Sequence, residues 1–203
     1  MYKELIIRML REYYKKSWHI IRQNRKIIFT LTALYILFLV GGLIYNSMTY
    51  TKFSFSSEDS KAAYQEFFKI TNFKDTFIGN FQHIFFHNAL ASLLRIATGI
   101  ILAIIPLWLI INDGILDSAA IINSGYNILF SFIPHGIFEI PAMIISSSLG
   151  VMIFLSILKS KNRRKNILQT YKNTFLIFLL IIIPLLLIAG IIEALEIMIL
   201  FFW

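Results

Sequence analysis

Residues 27–45 read IIFTLTALYILFLVGGLIY, a run without a single acid or base. A helix needs about 20 mainly apolar residues to cross ~30 Å of hydrocarbon, and this run meets that length alone. Stretches 84–111, 134–158 and 174–203 meet or exceed it. The composition agrees, with 58% of 203 residues hydrophobic. The chain reads as an all-α, polytopic membrane helical bundle, without internal repeats or an inter-domain linker.

A net charge of +8 raises the question of nucleic acid. The distribution answers it, because residues 1–26 hold eight of the 19 Lys and Arg and residues 159–172 hold six. Bases flanking apolar spans orient a chain in the bilayer and touch anionic headgroups. The partners implied are membrane lipids and other membrane proteins, not nucleic acid. With no cysteine, disulfides, thiolate metal sites and cysteine nucleophiles are excluded. The first apolar run follows 26 residues and lacks a small-residue cleavage site, so it reads as an uncleaved span.

Both basic clusters are expected on the cytoplasmic face, which makes the number of crossings between them even. Span one, about 27–46, leads outward. Residues 47–82 follow, with Lys52, Lys61, Lys69 and Lys74 balanced by Glu58, Asp59, Glu66 and Asp75, as suits an extracytoplasmic segment. Span two, about 84–111, returns and ends at the turn signal Asn112–Gly114. Span four, about 134–158, runs into the second basic cluster. Parity then requires 114–133 to cross, with Asn123, Ser124 and Asn127 facing other helices rather than lipid. Span five, 174–203, ends outside. The expectation is five spans in the cell (plasma) membrane, N-terminus cytoplasmic and C-terminus extracytoplasmic. Residues 1–26 form a basic amphipathic segment, with Tyr2, Leu5, Ile6, Met9 and Tyr13 at helical spacing. That face suits a helix on the inner membrane surface or one docked on a partner. Residues 61–86, carrying Phe67, Phe68, Phe73, Phe77, Phe81 and Phe85, suit an outer-surface helix.

Ionisable groups inside a bilayer are costly and usually face the bundle interior. Asn88, Ser92, Arg95 and Gly99 share one helix face, as do His135, Glu139, Ala142, Ser146 and Gly150. Glu193 stands in the last span, with Glu196 one turn on. Arg95, Glu139 and Glu193 all fall in the outer half. Arg95 is therefore expected to pair with Glu139, Glu193 or both, with Asn88 and His135 completing the hydrogen bonds. Such a network either fixes helix register alone or serves transport, chemistry or partner recognition. Within SFIPHGIFEIPAM (131–143), Pro134 fits the first turn of a helix, Gly136 permits close contact, and Pro141 predicts a kink. His83 and His87 are four apart, as are His135 and Glu139, and two such pairs on adjacent helices could bind zinc. Outer-interface histidines are more often solvated or paired, so no metal, cofactor or catalytic residue is assigned. Phosphate-loop, nucleophile-elbow and zincin motifs are absent.

FFHNALASLLRIATGIILAIIPLWLIINDG (85–114), FIPHGIFEIPAMIISSSLGVMI (132–153) and IAGIIEALE (188–196) together resemble the stage II sporulation protein M family. The resemblance covers roughly residues 25–203, and its most specific element is PHG-x-x-E. It carries over to Asn88, Pro134, His135, Gly136, Glu139 and Glu193. It implies a membrane scaffold working with a peptidoglycan hydrolase complex. For relatives encoded with circular bacteriocins, it implies a role in peptide maturation, export or self-protection beside an ABC-type, ATP-binding partner. Three readings follow. The leading one is a non-enzymatic accessory subunit of a membrane complex, open to association with further copies of itself. The second is a transporter or export component using Arg95, Glu139 and Glu193. The third is an intramembrane enzyme using His135 and Glu139.

Overall fold

The computed structural model describes residues 2–49, 74–99, 101–124, 126–159 and 163–202, with side chains over 4–49, 74–99, 101–122, 132–158 and 168–199. Among them all regular structure is helical. The chain opens with α1 (Tyr2–Gln23) and α2 (Arg25–Thr49). Asn24 joins them: its Nδ2 donates to the Ile20 carbonyl at 2.9 Å, while its own carbonyl accepts from the Ile27 and Ile28 N–H groups. One helix is thus capped as the next begins. Then come α3 (Phe77–Thr98), α4 (Ile104–Ser124), α5 (Tyr126–Lys159) and α6 (Arg163–Ile177). A π-helical turn (Phe178–Ile182) leads into α7 (Ile183–Phe202). That widened turn falls where Pro184, lacking an N–H, leaves the Leu180 carbonyl without its usual donor.

Four stretches are long and apolar enough to cross a bilayer: Arg25–Thr49, Ile104–Ile122, Phe132–Leu158 and Leu168–Ile199. Their outward faces fit that setting. Phe29, Leu37, Ile44, Met48, Trp108, Ile137 and Ile199 are all exposed, and an apolar surface this extensive suits lipid better than water. The chain is a multi-pass membrane protein.

Two expected boundaries move. The span expected at 84–111 is divided, because α3 ends at Thr98 and α4 starts at Ile104. The break lies where Gly99 meets Gly150 of α5 so closely that neither position has room for a Cβ. Asn112–Gly114, expected as a turn, lies inside α4. Gly114 is there for proximity: a Cβ would come 2.8 Å from the Tyr35 carbonyl oxygen and 3.1 Å from the Leu39 nitrogen. The expected boundary at 133/134 also moves, since α4 reaches Ser124 and α5 begins at Tyr126. Pro134 and Pro141 therefore both stand inside α5, so Pro134 does not occupy a first helical turn. Neighbouring helices let a membrane helix keep such prolines. Half of the aromatic segment expected over 61–86, residues 61–73, lies outside the described residues. Phe77, Phe81 and Phe85 stack in succession at 6.3 and 5.9 Å between centroids, with Phe81 and Phe85 packed beside Gly190 of α7.

These contacts give the topology. α2 and α4 run parallel, Gly114 lying against Tyr35 and Leu39, and Gly42 against Ser118. α7 is antiparallel to α3, with Phe85 near Gly190 and Asn80 near Met198. The main apolar core joins α5, α6, the π turn and α7 through Ala142, Leu149, Ile153, Ile177, Phe178, Ile182 and Leu186.

Candidate functional site

Above that core the bundle interior turns polar. Arg95 stands in the last turn of α3, where the helix dipole favours a cation, and it is only 9% exposed. Its Nη2 donates to Asp113 Oδ2 of α4 at 2.6 Å. One turn further along α4, Asp117 Oδ2 accepts the Tyr35 hydroxyl of α2 at 2.7 Å. This corrects the expected pairing of Arg95 with Glu139 or Glu193. Reading Asn112–Gly114 as a turn had put Asp113 at a membrane surface, whereas the helix carries it into the bundle against α3.

The second group joins α5 and α7. His135 Nδ1 lies 2.7 Å from Glu196 Oε2, and its Nε2 lies 4.0 Å from Glu139 Oε2. Glu193 completes the set: one donor atom from each of His135, Glu139 and Glu193 can be chosen so that all lie within 4.8 Å of one another. A cavity of about 170 Å³ runs from Arg95, Asp113 and Asp117 to Glu139, with His87, Asn88, Ser92 and Gly136 in its wall. The expected residues Asn88, Arg95, Gly136 and Glu139 thus border one space, with His135 and Glu193 next to it. Pro134, in α5 just before His135, is exposed. His83 and His87 stack on each other at 6.4 Å. Neither belongs to the metal-capable group, in which Glu193 takes their place beside His135 and Glu139.

Sequence reasoning missed Asp113, Asp117 and Tyr35, and it gave Glu196 no partner. The signal for the aspartates was present, because residues 113 and 117 share a helix face in an apolar setting, as 135 and 139 do. With them included, the polar interior holds Asp113, Asp117, Glu139, Glu193 and Glu196 against Arg95 and His135, a clear acidic excess.

Among the described residues, the cavity does not continue as a polar path to the α1 end. A second cavity of about 460 Å³ lies there, walled by Gln23, Asn24, Ser156, Gln169, Asn173 and others. The apolar core stands between the two. Leu186 borders the first cavity, while Leu149 and Ile177 border the second. Ile153, Ile177 and Ile182 in that core are fully buried.

The sequence model described as Stage II sporulation protein M matches residues 24–195. The chain belongs to that family. No curated protein and no solved structure matches it. In this family member the PHG-x-x-E element is interior helix, not a helix start. Its spacing sets His135 and Glu139 one turn apart, facing α7.

Proposed function

We propose that this stage II sporulation protein M family member is an accessory, scaffold-like subunit of a multi-protein membrane complex. Its setting would be envelope remodelling, or the maturation, export and self-protection that accompany a secreted peptide. The observation that carries the reading is the apolar core standing between the two polar cavities. Arg95 is held by Asp113 and His135 by Glu196 across helices, and an apolar core stands between them and the α1 end, so the bundle suits holding better than conducting. α1 supplies a surface for contact: Leu5, Ile6, Met9, Leu10 and Tyr13 are exposed among Arg8, Arg11 and Lys15. With the N-terminus cytoplasmic, this face would meet the inner leaflet or a cytoplasmic partner.

The test is purification from native membranes in mild detergent. A peptidoglycan hydrolase or an ATP-binding export subunit should co-elute in fixed ratio. Isolation of the chain alone, with ion flux in reconstituted vesicles, would contradict the scaffold reading. The acidic excess favours that second reading, a transporter whose pathway uses Arg95, Glu139 and Glu193.

A further inference from the structure

The pairing at His135 bears on more than helix register. A neutral imidazole has one N–H and one lone pair, and the hydrogen bond at one nitrogen decides where the lone pair points. With Glu196 ionised its carboxylate accepts from Nδ1–H, and in the neutral ring Nε2 is then the lone-pair atom, 4.0 Å from Glu139 Oε2. Metal-binding histidines are oriented in this way, by a carboxylate on the far nitrogen. Glu139 and Glu193 bring one oxygen each to the same place, from α5 and α7.

From this geometry we infer that His135 Nε2, Glu139 and Glu193 form a binding site for a divalent metal ion, with zinc the best match. Glu196 is its orienting carboxylate. Three observations converge. The donor set, one imidazole and two carboxylates, is made of ligand types that zinc accepts, and three protein ligands leave a fourth position open. The charge fits too: two carboxylates balance a divalent cation, where they would otherwise repel each other in an apolar interior. Glu196, finally, keeps Oε1 buried without a hydrogen-bond partner, so its orientation follows the contact to His135. Tetrahedral zinc with ligands at about 2.0–2.1 Å sets donor atoms about 3.3 Å apart. From separations of up to 4.8 Å the group must therefore contract by up to about 1.5 Å, which the two glutamate side chains can supply by rotation. Glu139 also borders the polar cavity, so the open position would face space large enough for water.

The experiment uses the full chain in detergent, stripped with chelator and then titrated with zinc alone. Bound metal is measured by elemental mass spectrometry, and unfolding temperature is followed in parallel. One zinc per chain and a rise in unfolding temperature are expected. Glu139→Gln and Glu193→Gln should elute as single species yet lose the zinc. Glu196→Gln should keep the fold and weaken binding by about 10–100-fold, as loss of an orienting carboxylate does. A His83→Ala/His87→Ala variant should bind as the parent does. Failure of the parent to take up zinc would overturn the assignment. So would zinc retained equally by all three glutamate variants, or zinc lost only with His83 and His87.

Discussion

The two halves of this bundle solve the same packing problem with opposite chemistry. Near α1, Ile153, Ile177, Ile182 and Leu149 fill the space between α5, α6 and α7, all of them almost fully buried. Further from α1, the same α5 and α7 face each other through His135, Glu139, Glu193 and Glu196, with Arg95–Asp113 and Tyr35–Asp117 alongside. The apolar half gains from contact and loses little by exchange of one aliphatic residue for another. In the polar half Arg95, Asp113, Asp117, His135 and Glu196 each depend on a named partner, because an unpartnered charge away from water is far worse than a lost methyl group. Gly99 and Gly150 sit at the boundary, where α3 and α5 meet too closely for a Cβ on either. Position there decides whether Arg95, one turn before Gly99, reaches α4 at all.

Substitutions can separate the halves, and their expected effects fall in a definite order. Asp113→Ala strands the Arg95 guanidinium and should cost about 3–5 kcal/mol, read by denaturant unfolding in detergent. Ile182→Ala opens a cavity in the apolar half and should cost about 2–5 kcal/mol, without any change in the ionisable pairs. Gly150→Ala drives a methyl group into the Arg95 carbonyl and should cost about 1–3 kcal/mol. It should also weaken the coupling of Arg95 to Asp113, since α3 must move. Tyr35→Phe removes the hydrogen bond from α2 to Asp117 of α4, leaves an Asp117 oxygen unpaired and should cost about 1–3 kcal/mol. Gly41→Ala has open space around it and should stay within about 0.5 kcal/mol of the parent. If Gly41→Ala matched Gly150→Ala, the distinction between close-approach and lipid-facing glycines would be lost.

The membrane class and the helical content were legible because hydropathy over 20 residues is a strong signal, and 27–45 carries it undiluted. His135, Glu139 and Glu193 were also legible, because a charge in such a run faces the interior. The partners of the charges were not. Asn112–Gly114 has the composition of a turn in water, yet Asp113 bonds Arg95 and Gly114 lets α2 and α4 touch. The same motif therefore continues a helix here. Pro134 misled in the opposite direction: it marks a helix start by composition and lies in a helix interior by structure. In both cases tertiary contact outweighed local preference, and local preference is all that a single stretch of sequence displays.

The account rests above all on ionisable side chains of different helices meeting inside the bundle. A charge exchange across the Arg95–Asp113 pair tests this most directly, with unfolding temperature as the readout. Arg95→Asp and Asp113→Arg should each lower it sharply, and the combined variant should recover most of the loss. A combined variant as unstable as the two losses added together would show that these residues do not face one another, and would contradict the account.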